Sequence, residues 1–433
     1  MHILQSLFGI ASLIGFAWLL SRDRRHVSWR VVGWGLGLQL VFAFFVFVVP
    51  AGVKFFLVVN DIVNAVLDSA GAGTTFVFGR LAVGPGGTDA AGQPSLGFIL
   101  ATQALPTIVF FAALVSMLYY LGVMQWLIRG FSWLFTRLMR ISGAESLCAS
   151  SNIFVGIESA LVIKPHLKGM TRSELNTILT AGMATIASSM LAVYIMILRG
   201  SFPTIAGHLV SASILNAPAA IVMSKLLFPE DGRPETLGLH VKPVYEKESN
   251  LFAAIIGGAN SGVRLLVGII ALLLAFLGIV ALVDKIMVLL GAPVNSLLGL
   301  QVDWSLKGLL GYLFYPFTLL LGVPLSEAGA IAKIIGERAI VTEVTAFQDL
   351  AALVAARPSL SPRTIVVTTY ALTGFAHVAS LAIFVGGISA LVPERTRDLA
   401  GLGFRALLGA TLATLLTASM AGLFFSESSI LFG

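Results

Sequence analysis

The sequence has very little charge for its length. Only 11% of its 433 residues are Asp, Glu, Lys or Arg, whereas about a quarter of a soluble protein is charged. Hydrophobic residues make up 57% of the chain, and the mean hydropathy is +0.95. This shortage of charge excludes an ordinary soluble protein and predicts a polytopic membrane protein.

The sequence also has only one cysteine and lacks the common sequence motifs of enzymes. The single cysteine, Cys148, excludes an intramolecular disulfide and a cysteine-based metal cluster, and a small packing residue is the simplest interpretation of it. The sequence has no Ser-His-Asp order, phosphate loop or dinucleotide fingerprint, so it does not indicate an enzyme. The formal net charge of +6 comes from Lys and Arg in short loops. We therefore interpret these positive loops as the signal that orients the protein in the membrane, and we expect no nucleic-acid partner.

Long apolar runs predict eight transmembrane helices. They cover about residues 3–20, 31–50, 98–124, 174–198, 203–225, 264–290, 363–391 and 400–424. The first run is followed by arginines rather than by a small-residue cleavage site, so it should remain as an anchor. Because that arginine loop should be cytoplasmic, both termini are predicted on the outer face. Residues 54–80 have polar side chains at helical spacing and predict an amphipathic helix lying in the interface.

Two further segments are too polar to span and should re-enter the membrane from one side. The first, between residues 140 and 164, has its predicted tip at Val155-Gly156, and the second, 328–356, has its tip at Ile340-Val341-Thr342. Each precedes a long helix with the same interruption, because Gly182–Ser188 and Gly374–Ser380 share Gly, Ala, Ala and Ser in four of seven places. Opposite orientations of the two units predict an inverted repeat with a substrate site near the bilayer midplane.

The predicted fold is therefore an all-α polytopic membrane protein with an inverted repeat. It has eight transmembrane helices, two oppositely oriented re-entrant hairpins and one interfacial amphipathic helix. We divide the chain into 1–127 (scaffold spans and interfacial helix), 128–228 (first hairpin, broken helix and following span), 229–325 (cytoplasmic loop, sixth span and outer segment) and 326–433 (second hairpin, broken helix and last span).

Two carboxylates lie at the predicted hairpin tips. Glu158 and Glu343 each stand in a short apolar segment, where a charge is costly unless it has partners or water. A carboxylate can accept hydrogen bonds from sugar hydroxyls or ring N–H groups, which suits a polar neutral substrate. A structural cap or a buried ion pair is the alternative for each glutamate.

Neutral oxygens accompany the first carboxylate. Asn152 and Thr185 offer side-chain oxygens beside free carbonyls at the tip and the helix break, a donor set that suits a sodium ion. Local capping of broken backbone explains the same two residues equally well. His377 is open to three interpretations, as a hydrogen-bond donor, a proton carrier or a packing residue, and Phe375 could stack on an aromatic ring or simply pack.

These motifs together resemble the concentrative nucleoside transporter family. The resemblance is carried by Leu20–Arg30 with Gly37–Gln39, Leu105–Phe111 through Gly122–Gln125, Ala149–Gly156, Gly336–Phe347 and Gly374–Ser380. It implies a homotrimer of eight-span protomers with an elevator-like transport domain, which takes up nucleosides with a cation. On this resemblance we expect a multi-pass protein of a bacterial inner membrane.

The resemblance also implies roles for individual residues. The sodium ligands fall on the side chains of Asn152 and Thr185 and the carbonyls of Val155 and Ile186, and the ribose-binding carboxylate falls on Glu343. The remaining substrate contacts fall on Met190, which would touch the base, on Phe375, His377 and Ser380 from the second broken helix, and on Ile157 and Glu158 at the first tip.

Three departures from the family pattern concern the substrate. The first tip reads Gly156-Ile157-Glu158-Ser159-Ala160 in place of G-Q-T-E-A-P, one residue shorter and without the Gln and Thr that read the base. The second tip reads Thr342-Glu343-Val344 in place of N-E-F, and His377 replaces the usual Asn. The shortened first tip is where we expect specificity to differ from that of relatives.

The prediction is thus a sodium-coupled nucleoside symporter, with alternatives. The missing base-reading residues leave a modified nucleoside, a nucleobase or another polar metabolite as cargo. Protons could replace sodium, because Glu158, Glu343 and His377 can each take up a proton. A membrane receptor that binds but does not transport is a third hypothesis. No organic cofactor is expected.

Overall fold

The computed structural model describes residues 2–245, 248–357 and 359–426, and within these ranges the regular structure is helical. The all-α polytopic class is thereby confirmed. The helices before the first predicted hairpin are α1 (His2–Leu19), α2 (Trp29–Phe47), α3 (Pro50–Phe78), α4 (Leu100–Gln103), α5 (Thr107–Tyr120) and α6 (Val123–Met139). The predicted outer position of the carboxyl terminus concerns residues outside the described ranges.

The remaining helices include the two predicted repeats. The first repeat contains α7 (Gly143–Ser151), a 3-10 segment (Ile157–Gly169), α8 (Arg172–Ala184) and α9 (Ser188–Leu198), and α10 (Ile205–Leu227) follows. Next come α11 (Leu251–Leu298) and α12 (Leu306–Leu320). The second repeat contains α13 (Leu325–Ile340), α14 (Glu343–Ala356), α15 (Pro362–Leu372) and α16 (Val378–Leu391), and α17 (Thr396–Phe424) ends the described chain.

By length and composition, 7 helical stretches of the described chain could cross a membrane. They are Trp29–Phe47, Pro50–Ala82, Leu100–Tyr120, Arg172–Leu198, Ile205–Leu227, Leu251–Leu298 and Pro393–Phe424. Shorter apolar helices cover Ile3–Leu19, Leu306–Leu320 and Val378–Leu391. Since α3 is itself long and apolar enough to cross, its interfacial position stays a prediction, as do the re-entrant course of the hairpins and the inverted repeat.

Two predicted spans differ in length from the helices found at those positions. The sixth span, expected at 264–290, is part of the 48-residue helix α11, which at 1.5 Å per residue is about 70 Å long, more than twice the apolar thickness of a bilayer. A charged side chain such as Arg264 does not end a helix. The third span was expected to reach residue 124, yet α5 ends at Tyr120 because Gly122 takes the left-handed conformation (φ 84°).

Helices α10 and α17 form the centre on which the interrupted segments rest. All but two residues of α10 are buried, and most of α17 is buried as well. On α10, the Ser213 hydroxyl donates to the Ile153 carbonyl at the first tip (2.8 Å), and Asn216 donates to the Thr373 carbonyl in the second break (3.3 Å). Both repeats are therefore hydrogen-bonded to α10.

Candidate functional site

The first tip is an irregular turn whose carbonyls are mostly occupied. Helix α7 ends at Ser151, and the Phe154 carbonyl accepts hydrogen bonds from both the backbone N–H (3.0 Å) and the hydroxyl (2.5 Å) of Ser188, the first residue of α9. The tip is thereby joined to the helix break. In the described chain, the Val155 carbonyl receives no backbone hydrogen bond, so it keeps its lone pairs.

The predicted sodium ligands are buried beside this turn. Asn152 is 0% exposed and Thr185 is 2% exposed. The Asn152 Oδ1 atom accepts from the Ser159 hydroxyl at 2.8 Å, and the Thr185 hydroxyl donates to the Ala181 carbonyl at 2.8 Å. Like that of Val155, the Ile186 carbonyl accepts no backbone hydrogen bond from the described residues.

This donor set suits a small hard cation. All four oxygens are neutral, and each retains at least one lone pair. Helices α7 and α8 both end here, at Ser151 and Ala184, and a helix carboxyl end carries partial negative charge. The capping alternative is partly realised as well, because Thr185 closes the end of α8 through its bond to Ala181.

The second tip holds a buried carboxylate at the start of a helix. Thr342 caps α14, and Glu343 is its first residue and only 1% exposed. The Tyr194 hydroxyl donates to Oε1 of Glu343 at 2.5 Å, and Nε2 of His377 lies 3.0 Å from Oε2. A negative charge at a helix amino terminus is favoured by the helix dipole.

The hydrogen bonds of His377 define its orientation. Its Nδ1 atom accepts from the backbone N–H of Ser380 (3.2 Å), which makes His377 the cap of α16, and the Ser380 hydroxyl donates to the His377 carbonyl (2.7 Å). A neutral ring with unprotonated Nδ1 carries its proton on Nε2. Nε2 lies 3.0 Å from Oε2 of Glu343, and neither atom has another partner among the described residues. One donor and one acceptor thus remain available side by side.

A cavity of about 1450 Å³ joins both repeats, larger than a pocket for one small ligand, which is typically about 300–1,000 Å³. The predicted site residues on its wall are Val155, Ile157, Glu158, Thr185, Ile186, Met190, Glu343 and Phe375. Residues of α5, α6 and α11 also line the cavity, as do the charged residues Arg129, Lys164, Glu248 and Arg264. The predicted site residues Asn152, His377 and Ser380 are fully buried and do not line the cavity.

Ile157 and Glu158 at the shortened first tip, and Phe375 of the second break, lie on the cavity wall. Glu158 is exposed and forms no hydrogen bond or ion pair with other described residues, so it is neither a cap nor part of a buried ion pair. Ile157 packs against Gly387, where an added Cβ would lie 2.9 Å from Ile157 Cγ1. Phe375 is half-buried and meets the His377 ring edge-on at 4.6 Å between ring centres. The substrate role of each residue stays a prediction.

The two helix breaks are not in equivalent positions, although the motif repeats. The first break covers residues 185–187, so α8 continues through Gly182, whereas the second covers residues 373–377 and begins before Gly374. Gly374 has φ 132°, and a Cβ there would lie 2.8 Å from the Ala184 carbonyl oxygen. The two breaks therefore touch directly, and only glycine fits at this contact.

Two important residues were missed by the sequence analysis. Tyr194 binds Glu343 and stacks on Phe347 (4.6 Å, 19° between planes). Arg338 is 0% exposed; its NH1 donates to the Ala371 carbonyl (2.6 Å) and the Thr414 hydroxyl (3.0 Å), while Nε and NH2 have no partner in the described structure. An arginine five residues before a membrane carboxylate was a signal that could have identified it.

Three family models match the sequence. "Na+ dependent nucleoside transporter N-terminus" matches residues 8–81, "Nucleoside recognition" matches residues 101–201, and "Na+ dependent nucleoside transporter C-terminus" matches residues 208–422. Together they include all the predicted site residues.

Whole-chain similarity extends to curated relatives. An uncharacterised transporter of Haemophilus influenzae is 37% identical over 98% of both chains. Solute carrier family 28 member 3 of Mus musculus is 35% identical over 97% of this chain and 58% of its own length, and sodium/nucleoside cotransporter 1 of Rattus norvegicus is 35% identical over 98% and 64%. The chain thus spans about three fifths of these mammalian proteins.

Solved structures give the same result. The transporter CNTnw in an inward-facing substrate-bound state superposes with a TM-score of 0.85 at 33% identity, covering 98% of each chain. An outward-facing variant of CNTnw superposes with a TM-score of 0.87 at 33% identity over 99% of each chain.

Proposed function

Because the chain belongs to the sodium-dependent, concentrative nucleoside transporter family, whose members are transporters and not enzymes, we propose that it couples inward sodium movement to nucleoside uptake. Sodium would bind the oxygens of Asn152, Val155, Thr185 and Ile186. The nucleoside would bind between the two tips, and the protein would act in the inner membrane of a bacterium.

The buried pair of Glu343 and His377 is the main support for this proposal. Oε2 of Glu343, which lines the cavity, can accept one hydrogen bond, and Nε2 of His377, fully buried 3.0 Å from it, can donate one. Neighbouring ribose hydroxyls each donate and accept, so a pair of them matches this arrangement. A buried donor and acceptor left unmatched disfavour ligands without hydroxyls.

The first half supports cation coupling. The hairpin tip and the helix break share the candidate ligands and are joined at Phe154 and Ser188. A cation bound there would order the tip beside Ile157 and Glu158 and so raise substrate affinity. By thermodynamic linkage, substrate would raise cation affinity by the same factor.

A second candidate keeps the scaffold but changes the cargo. Glu158 is an exposed carboxylate on the cavity wall with no partner among the described residues, and Ile157 beside it offers no hydrogen-bonding group. A base with additional N–H donors suits this wall better than an ordinary pyrimidine does. This observation favours a modified nucleoside or a nucleobase as the alternative substrate.

The assembly and the mechanism belong to the same proposal. Helix α11 is largely exposed along its apolar length, with only 6% of its most apolar stretch buried, and a homotrimer embedded in lipid would cover it. We further propose an elevator-like movement of the tips and breaks, which rest together on α10 and α17.

Transport in reconstituted vesicles tests the proposal. Labelled uridine, adenosine, inosine and free bases are offered with an inward sodium gradient, an inward proton gradient or neither. We expect a nucleoside to accumulate only with the sodium gradient. Uptake that ignores sodium but follows pH would replace sodium by protons.

Thermal unfolding with the same compounds separates binding from transport. A bound ligand at 100 times its Kd stabilises by about 2.7 kcal/mol, and sodium should enlarge this effect for the transported nucleoside. Stabilisation by bases alone would favour the second cargo, and binding without accumulation would indicate a receptor. No stabilisation by any nucleoside, with or without sodium, would contradict the nucleoside assignment.

A further inference from the structure

Three arginines converge on one aromatic ring outside the cavity. The guanidinium carbons of Arg22, Arg172 and Arg405 lie 4.7, 5.7 and 5.5 Å from the centre of the Phe228 ring. They come from the loop after α1, the first residue of α8 and the third turn of α17, and Phe228 directly follows α10. Four separate segments therefore build one basic cluster.

The cluster is not neutralised by its carboxylates. Arg22 pairs with Asp231 (3.6 Å), whereas Asp398 is shared between Arg172 (3.4 Å) and Arg395 (2.8 Å). Arg405 has no carboxylate or hydrogen-bond partner among the described residues. Two carboxylates thus face four arginines. Because the three charges around the ring lie within about one Debye length of each other, they repel unless an anion joins them.

The surroundings of the cluster are those of a membrane interface. Phe404, next to Arg405, is 72% exposed, and Leu19 and Leu20 are 52% and 43% exposed. Arg24 stacks on Trp18, with its guanidinium carbon 5.6 Å from the ring centre, as expected where aromatic and basic residues meet the headgroups. The arginine loop after α1 is the one that charge bias assigns to the cytoplasm.

We propose that Arg22, Arg172 and Arg405 bind the phosphate of an anionic phospholipid in the cytoplasmic leaflet. Guanidinium groups form charge-assisted, often bidentate hydrogen bonds with phosphate, and basic pockets between membrane helices on this side suit such headgroups. The exposed apolar residues at the edge of the cluster favour a lipid over free phosphate, since acyl chains would cover them. Arg22 and Arg172 are 47% and 41% exposed, so the cluster is accessible.

Lipid titration of the purified full-length protein tests this site. Phosphatidylglycerol is added in a neutral detergent, and the thermal unfolding midpoint is followed for the wild type, Arg405→Ala and the control Arg397→Ala. Arg397 is exposed on the same helix, two turns before Arg405. We expect Arg405→Ala to weaken the apparent affinity about tenfold, as for one lost charge-assisted hydrogen bond, and Arg397→Ala to leave it unchanged.

Each variant is compared with its own lipid-free midpoint, and Arg22→Ala serves as a second variant if Arg405→Ala does not fold. Equal affinity of the wild type and both cluster variants would overturn the proposal. Phosphatidylcholine or inorganic phosphate that stabilises as strongly as phosphatidylglycerol would overturn the anionic-lipid assignment. Since no transported substrate is involved, the result is independent of the proposed transport function.

Discussion

In the first repeat the helix break presents neutral oxygens, whereas in the second it supports a buried carboxylate. Thr185 and His377 occupy the same place in the repeated seven-residue motif, but Thr185 ends α8 and His377 begins α16. A helix end with free carbonyls attracts a cation, and a helix start with free N–H groups favours an anion. A shift in the position of the break therefore gives two related segments opposite electrostatic preferences.

The glutamates at the two tips also differ in their burial. At the second tip Glu343 is buried, at 1% exposure, with Arg338 at 0% on the preceding helix, whereas Glu158 at the first tip is exposed to the cavity. Burying an ion is costly, so the second tip must hold its geometry through hydrogen bonds, and Tyr194 supplies one of them at 2.5 Å. We infer that the second tip is the more rigid, and that the first tip tolerates more change in sequence.

Removing the negative charge of Glu343 should have the largest effect on uptake. Glu343→Gln keeps the shape but places an amide against the Tyr194 hydroxyl and His377 Nε2. We expect the kcat/KM of uptake to fall by at least about 100-fold, the loss typical of a buried charged partner. The measurement is initial-rate uptake in vesicles.

The control for this change is Asp349→Asn, on the same helix α14 but paired with Lys307 away from the cavity. It should retain uptake. Both variants should elute in size-exclusion chromatography like the wild type. A Glu343→Gln protein that transports normally would remove Glu343 from the site.

The contact between the two helix breaks should tolerate substitution almost as poorly, here with a loss of stability. A Cβ at Gly374 would meet Thr414 Cγ2 at 2.7 Å and the Ala184 carbonyl oxygen at 2.8 Å, with φ at 132°. Gly374→Ala should therefore destabilise by about 2 to 4 kcal/mol, from strain together with overpacking. Thermal unfolding measures this loss as a lower midpoint.

Gly386→Ala is the matched control, because a Cβ there meets nothing within 4 Å. Within α16 it should stabilise slightly, since alanine favours helix over glycine. Equal midpoints for Gly374→Ala and the wild type would mean that the breaks can separate without cost.

A substitution at the candidate sodium site in the first repeat should change uptake less. Thr185→Val removes the candidate ligand hydroxyl but keeps the side-chain shape. We expect the sodium concentration for half-maximal uptake to rise about tenfold, or about 1.4 kcal/mol, with little change in rate at saturating sodium. Sodium titrations of uptake measure this shift.

Thr180→Val provides the control. Its hydroxyl makes the same bond one turn back (to the Asn176 carbonyl, 2.7 Å), is equally buried and does not reach the cavity. It should lose a similar, small amount of stability without changing sodium dependence. A parallel change in both variants would show that Thr185 acts only as a cap.

How far the sequence predicted this arrangement depends on the type of signal. Composition and apolar runs predicted the all-α membrane fold, and the small-residue motifs predicted both interruptions to within a few residues. The register of each break could not be predicted, because it depends on Gly374 meeting Ala184 across the repeat. Such a contact has no local signal.

The buried residues that hydrogen-bond to the site could not be predicted either. Tyr194 lies in an apolar helix, where its hydroxyl has no distinguishing pattern, and only folding brings it to Glu343, 149 positions away. The length of α11 was missed for a related reason: apolar composition indicates where a helix can meet lipid and not where it ends. Long-range polar contacts therefore need the structure.

Tyr194 gives the mildest test of the comparison between halves. Tyr194→Phe removes one hydrogen bond to Glu343 and keeps the stacking on Phe347, so the carboxylate stays in place but loses a partner. We expect the KM to rise about fivefold, about 1 kcal/mol, with kcat little changed. Tyr370→Phe, which removes a buried hydroxyl bonded to Ser211 away from the cavity, should lower stability and leave KM unchanged. If Tyr194→Phe lowered stability alone, as Tyr370→Phe should, the hydroxyl would serve packing, and the rigidity of the second tip would not depend on its hydrogen bond to Glu343.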